Sequence, residues 1–260
     1  MLLRLEDHDR GRCRAEYEAA ILDDLEWLGL EPDLGSPAEF RGGVSSYRQS
    51  DNSLRYETAL KCLATRYQVY ACDCSRKDIA GVLNSPDEEV RYPGRCRDRG
   101  LEPGPGCGLR AALEPGIERF TDGIMGTQQQ DPHEQCGDLL LRDRSGNWTY
   151  QFAVTVDDFE QKIDLIIRGD DLLASTGRQL RLARMLGRRE MPRFAHHPLI
   201  RHSSGVKLSK ANRDTGVRDL RAAGSTPDRV LGQAAHLTGL TAKPLDLEPS
   251  DLPALFVADQ

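Results

Sequence analysis

A chain of 260 residues can bury a sizeable core, and it contains no apolar run near the eighteen or so residues that a membrane-spanning helix needs. The net charge of -6 works against indiscriminate nucleic-acid binding yet leaves room for a local basic face. The opening residues, Met1-Leu2-Leu3-Arg4-Leu5-Glu6-Asp7, have no basic start and meet acidic groups at once, so they do not read as a secretory signal, and a cytoplasmic location is expected.

The order of elements reads as alternating α/β. Met1 to Glu6 reads as a strand, followed by a helix from about Ala15 to Leu28 whose Tyr17, Ile21, Leu25 and Leu28 recur at helical spacing, with Gly29 as its stop. A second helix near Ser53 to Tyr67 places Tyr56, Leu60, Leu63 and Tyr67 on one face, read as core, and Cys62 within it reads as packing. From about Tyr70 to Pro115 the chain turns rich in Gly, Pro and Cys, as an inserted module would. Asp138–Arg142 and Trp148–Tyr150 flank Ser145-Gly146-Asn147 and predict a hairpin, and Ile163 to Ile167 predicts a buried parallel strand. Thr176 and Gln179 have the spacing of a capping box, opening a helix with Leu180, Leu182, Met185 and Leu186 that Gly187 closes. Thr226-Pro227 predicts the start of a helical tail. No internal repeat is evident.

Cys72-Asp73-Cys74 and Tyr92-Pro93-Gly94-Arg95-Cys96 bring three thiols and a phenol into one loop-rich stretch with little apolar residue to hold it. Such a stretch needs a staple, and in a cytosolic chain a metal held by soft thiolates is favoured over a disulfide, with zinc the natural ion. Cys107 and Cys136 are further candidates for a fourth ligand, and a reducible pair or buried thiols is the alternative to a metal. Cys13 receives no role. His133 and His196-His197 are ligands by type but read as structural residues. Arg178, Arg181, Arg184, Arg188 and Arg189 read as a solvated helix face, with nucleic-acid contact as the alternative.

Lys207-Leu208-Ser209-Lys210, after Gly205-Val206, places two cations about a small loop, a clamp suited to the charge that develops on phosphoryl oxygens as pyrophosphate leaves; a plain solvated loop is the alternative. Leu3-Arg4-Leu5-Glu6-Asp7-His8-Asp9-Arg10, Tyr150, Val156-Asp157-Asp158, Ile167-Arg168-Gly169-Asp170-Asp171 and this lysine loop follow one another along the chain. That order resembles the catalytic core of class I glutamyl-tRNA synthetases over essentially the whole chain. It looks closest to their short glutamyl-queuosine tRNA(Asp) branch, because the chain ends soon after the lysine loop and Leu172 stands where the tRNA-charging members usually carry histidine.

The resemblance implies a Rossmann-like parallel sheet divided into core over 1–69, a zinc-binding insertion over 70–118, core again over 119–205, and lysine loop with helical tail over 206–260. It implies that Glu6 takes the ammonium of glutamate while Tyr150 and Arg168 face its side-chain carboxylate, at the carboxyl end of a strand where α/β sheets bind ligands. An Arg168 ion pair with Asp171 or Asp157 is the alternative. Lys207 and Lys210 would hold ATP, with magnesium and with Lys210 acting in catalysis, and Cys72, Cys74, Tyr92 and Cys96 would hold one zinc. The expected reaction is ATP-dependent activation of glutamate and transfer to queuosine in tRNA(Asp), by a monomer. Charging of tRNA(Glu) and a non-catalytic tRNA- or protein-binding remnant are the other readings. The family's opening strand and His-x-Gly-His signature would precede Met1, so the chain alone is expected to activate glutamate poorly.

Overall fold

A computed structural model describes residues 1–9, 11, 13–80, 91–200 and 216–256. The chain divides into two units, one of Met1–Arg4, Arg12–Tyr47 and His197–Gln260, the other of Leu5–Gly11 and Arg48–His196. Lys207 and Lys210 lie outside the described residues.

The first unit is helical. Helix α1 (Ala15–Trp27) is closed by Gly29 at φ +69°, as the glycine stop predicts. Its buried side is Leu22, joined beyond the helix end by Leu28, whereas Tyr17 and Ile21 are exposed, so the inward face is rotated from the expected one. Helix α2 (Pro37–Gly42) is capped by the Ser36 hydroxyl, which accepts from Glu39 N. The tail begins as predicted: Thr226 caps the helix that runs from Pro227 to Leu237, and proline stands where its missing N–H costs nothing. Leu231 and Ala235 from that helix join Leu28 and Leu247 in a small core with Trp27 and Val217 at its margin.

The second unit carries the larger core. Helix α3 (Ser53–Ala64) buries Tyr56 and Leu63. Tyr67 falls beyond its end and is exposed, and Cys62 is exposed on its outer side, so neither packs as expected. Strands β1 (Val69–Cys72), β2 (Gly108–Ala111) and β5 (Leu139–Arg142) form an antiparallel sheet in the order β1-β2-β5. The cysteine-bearing stretch leaves this sheet from β1, includes the short helix α4 (Arg76–Ala80) and returns on its neighbour β2, where Cys72 lies opposite Gly108; helix α5 (Pro132–Cys136) precedes β5. Strands β3 (Glu118–Asp122), β4 (Gly126–Gln130), β6 (Leu165–Gly169) and β7 (Arg193–His197) form a mixed sheet in the order β4-β3-β7-β6, antiparallel between β3 and β4 and parallel between β3 and β7.

Four expectations are corrected here. Among the described residues Met1 to Glu6 makes only two single-residue parallel bridges, Leu2 to Leu34 and Leu5 to Arg48. Its hydrogen bonds are met at isolated points, Leu3 N by Leu34 O and Leu5 O by Gln49 N, without the consecutive partners of a ladder. The hairpin forms at Arg142 opposite Trp148, but Tyr150 is already the first residue of helix α6 (Tyr150–Glu160). The Ile163 to Ile167 run becomes β6 at an edge, with Leu165 41% and Ile167 65% exposed, so it is no buried strand. The arginine series is only in part the expected solvated face: Arg184 and Arg189 are exposed, but Arg178 is buried and Arg181 and Arg184 pair with the buried Glu118 at 2.5 and 3.2 Å. Phe152, Ala153 and Val156 of α6 pack with Trp148, Tyr56, Leu141 and Leu182 as the main core, in which a fully buried Phe, Val or Leu side chain is worth roughly 1.5–3 kcal/mol.

Candidate active site and cysteine cluster

Arg168 stands in β6, one residue before the strand ends, and its guanidinium is held from three sides. Nε donates to His196 Nε2 at 2.9 Å, Nη1 to Gln179 Oε1 at 2.7 Å and Nη2 to Thr176 Oγ1 at 2.9 Å. Thr176 and Gln179 both belong to helix α7 (Thr176–Met185), so the predicted capping box does not form: its two side chains are turned to Arg168 instead. The helix start is served by Gln130, whose Oε1 accepts from Gly177 N at 2.7 Å. Gln179 is itself oriented, its Nε2 donating to Gln151 Oε1 at 2.8 Å, and Gln151 Nε2 donating to Ser175 Oγ at 3.0 Å.

These contacts dispose of the ion pair weighed for Arg168, since its hydrogen bonds go to neutral acceptors. Asp157 is engaged elsewhere, accepting from Arg55 Nη1 at 2.6 Å, Tyr56 Oη at 2.7 Å and Gln49 Nε2 at 3.0 Å. Burial pushes the Arg168 pKa down, while Tyr150, Asp158 and Glu6 oppose that fall. Burial likewise pushes the Tyr150 hydroxyl up, with Glu6 adding to the rise and Arg168 working against it. Glu6, Tyr150 and Arg168 are thus within electrostatic reach of one another, with Tyr150 and Arg168 half-buried and Glu6 exposed. Beside them the His8 ring lies 6.1 Å from Tyr150 and hydrogen-bonds Gln49 Oε1 at 2.7 Å, while Asp7 accepts from Ser50 N and Oγ at 2.8 and 2.6 Å.

The sequence read His196 as a structural residue without its contact with Arg168, did not single out Asp122, and misassigned Thr176 and Gln179. The signal for His196 was present: along β7 the buried residues alternate, and Phe194 and His196 share the inward side. His196 is fully buried, with Nδ1 2.6 Å from Asp122 Oδ2.

The second centre lies in the excursion between β1 and β2. The sulfurs of Cys72, Cys74 and Cys96 all lie within 4.8 Å of one another, with Cys74 and Cys96 at 3.6 Å. Zinc bonds of about 2.3 Å in a tetrahedron place sulfurs about 3.8 Å apart, so the three thiols fit a metal. Tyr92 Oη lies 3.4 Å from Cys72 Sγ and accepts from Cys96 N at 2.9 Å, which brings the phenol into the same group. Gly137 makes that placement possible: it pairs with Tyr92 at φ +66°, and a Cβ there would meet Tyr92 O at 1.9 Å. Cys136 instead donates to Pro132 O at 3.1 Å, and neither it nor Cys107 belongs to the cluster. Arginines approach from outside, Arg110 Nε at 3.4 Å from Cys72 Sγ and Arg99 Nη1 at 3.2 Å from Cys96 Sγ. Burial and the neighbouring thiols push Cys74 up to about 12, the expected result of crowding groups that each resist a second negative charge; a central cation reverses that preference.

His133 is structural, 3.2 Å from Arg91 Nη2 and 3.1 Å from Glu134 Oε1. No helix among the described residues is long and apolar enough to cross a membrane.

The matching family model places this chain among the catalytic domains of class I aminoacyl-tRNA synthetases. The chain belongs to the family described as tRNA synthetases class I (E and Q), catalytic domain, which matches residues 1–244. It is similar to the "Glutamyl-Q tRNA(Asp) synthetase" of Nitratidesulfovibrio vulgaris, 35% identical over 98% of this chain and 81% of that protein. It is 37% identical to the "Glutamate--tRNA ligase 2" of Syntrophus aciditrophicus over 91% of this chain and 50% of that one. Among solved structures, the glutamate-tRNA synthetase from Elizabethkingia anophelis superposes with a TM-score of 0.72 at 25% identity, covering 90% of this chain and 54% of that chain. The chain therefore spans about half the length of that solved structure.

Proposed function

We propose that the chain uses ATP to activate glutamate and passes the glutamyl group to the queuosine base in the anticodon of tRNA(Asp). The observation that carries this reading is Arg168, a guanidinium anchored by three neutral acceptors with Tyr150 and Glu6 around it. Because the anchors bring no charge, the cation is kept for an anionic ligand, and its planar fork matches a carboxylate. Arg168 and Tyr150 take the side-chain carboxylate, while Glu6 takes the ammonium group.

Lys207 and Lys210 are assigned to the ATP phosphates from their sequence, Lys210 stabilising charge on the phosphoryl oxygens as pyrophosphate departs. Magnesium accompanies ATP and neutralises the phosphates. Cys72, Cys74, Cys96 and Tyr92 hold one structural zinc, which ties the excursion together. The protein acts in the cytoplasm as a monomer. The naming of the Nitratidesulfovibrio vulgaris relative supports tRNA(Asp) as acceptor.

The second reading, attachment to tRNA(Glu), draws on the Syntrophus aciditrophicus relative. Labelled glutamate offered with queuosine-bearing tRNA(Asp) and with tRNA(Glu), in the protein that carries this chain, separates the two. Label on tRNA(Asp) alone is expected, and label on tRNA(Glu) alone overturns the proposal. Pyrophosphate exchange that ignores glutamate would sink both.

A further inference from the structure

Arg168 carries five N–H donors. Three are spent inside the protein, and the two acceptors His196 Nε2 and Thr176 Oγ1, 3.3 Å apart, together fill the Nε–Nη2 edge of the guanidinium. A carboxylate ligand is thereby directed to the Nη1–Nη2 end. That direction depends on His196 presenting a lone pair, because a protonated Nε2 would set two N–H donors against each other.

Asp122 settles which nitrogen is protonated. Its Oδ1 accepts from Ile124 N at 3.0 Å, Met125 N at 2.9 Å and His196 N at 3.1 Å, leaving Oδ2 to face His196 Nδ1 at 2.6 Å. An ionised carboxylate only accepts, so Nδ1 carries the hydrogen and Nε2 is the acceptor for Arg168. Both side chains are fully buried, so no solvent reorientation blurs the arrangement.

We infer that Asp122 and His196 are positioning residues for the amino-acid site, fixing the imidazole tautomer that aims the Arg168 fork at the substrate carboxylate. This rests on the reading of Arg168 as the glutamate-binding residue. Neither Asp122 nor His196 touches the substrate; they act through Arg168.

Asp122→Asn tests the inference with little structural change. Its Oδ1 keeps the three N–H donors, and turning the amide over would confront all three with an NH2, so the NH2 is fixed toward His196. His196 should then accept at Nδ1 and carry its hydrogen on Nε2. Imidazole nitrogen NMR of the 260-residue chain should show the hydrogen on Nδ1 in the unaltered protein and on Nε2 in Asp122→Asn, with a displaced Arg168 Nε–H resonance. Glutamate affinity by calorimetry should fall about tenfold or more, equivalent to one lost charge-assisted hydrogen bond. His196→Gln, which can still offer an oxygen to Arg168, should retain more affinity than His196→Ala.

An Nε2–H tautomer in the unaltered chain overturns the inference, as does unchanged affinity after the tautomer has switched. If the unaltered chain binds no glutamate, the reading of the pocket falls by itself. The Arg168 resonance then decides the positioning: a shift in Asp122→Asn upholds it, and an unmoved signal overturns it.

Discussion

The Arg168 pocket and the cysteine cluster manage charge from opposite directions. In the pocket the protein supplies the cation from β6 and surrounds it with neutral acceptors on α7 and β7, all regular elements. In the cluster the protein supplies electron-pair donors, and only Cys72 stands on a strand; Cys74, Tyr92 and Cys96 stand on the irregular stretch between β1 and β2. The side-chain packing around Cys72, Cys96, Ile79 and Tyr92 is a small satellite of the core. A side chain on a rigid element can be replaced at the expense of binding alone, whereas one that holds a loop together is part of the fold.

The largest effect should come from breaking the cluster. Purified chain should carry about one zinc, and Cys74→Ser or chelation should release it, forfeiting most of a binding free energy that reaches about 10–16 kcal/mol in zinc-dependent peptides. Hydrogen exchange should then show loss of protection between β1 and β2, with β5 and α6 still protected. Full protection of the excursion in metal-free protein would erase the contrast with the pocket.

Asp157 tests the scaffold beneath the pocket. Its carboxylate is buried and serves Arg55, Tyr56 and Gln49 together. Asp157→Ala should cost about 3–5 kcal/mol in denaturant unfolding, because it leaves a charge and two donors without their shared acceptor. A loss under about 1 kcal/mol would mean that the network contributes little and that packing alone holds α3 against α6.

The sequence made the pocket more legible than its supports. Glu6, Tyr150 and Arg168 carry chemistry that a glutamate requires, and the motifs that carry the family resemblance single them out. Helix α6 was hidden because Tyr150, Phe152, Val154, Thr155 and Val156 favour strands in isolation, and burial against Tyr56, Trp148 and Leu182 overrides that preference. Thr176 and Gln179 have the spacing of a cap, yet spacing cannot reveal a guanidinium arriving from β6. The three cysteines of the cluster were readable from local spacing, whereas Arg110 depends on the pairing of β2 with β1 and Arg99 on how the excursion folds back.

Acid should affect the pocket's frame through Asp122. Burial would raise its carboxyl, but the N–H groups of Met125, His196 and Ile124 and the His196 ring hold it down to about 2. A carboxyl depressed in the folded state stabilises above its unfolded value near 3.9, and that contribution is lost as pH falls through the folded value. The contribution is on the order of 2–3 kcal/mol at neutral pH. The stability gap between the chain and Asp122→Asn, measured by denaturant at pH 5 and again near pH 2, should therefore narrow on acidification. A gap that stays constant would show that Asp122 is not preferentially ionised in the fold.

The smallest expected change in free energy bears most directly on the reading of the site. Arg168→Lys keeps a positive charge but removes the planar fork, and one ammonium cannot reach His196, Gln179 and Thr176 while also bridging a carboxylate. Glutamate affinity should fall by about 2 kcal/mol, roughly thirtyfold, the scale of one hydrogen bond to a charged group. The melting temperature should fall only by a few degrees, since the charge is kept and the acceptors that lose Arg168 have other partners, Thr176 with His196 at 3.3 Å and Gln179 with Gln151 at 2.8 Å. Calorimetry and thermal unfolding of the same samples separate the outcomes. Weak glutamate binding with intact folding keeps Arg168 as a ligand-binding residue on a rigid frame. Intact binding with a large fall in melting temperature would make Arg168 a structural tie between β6, α7 and β7, and would place the pocket in the same category as the cysteine cluster.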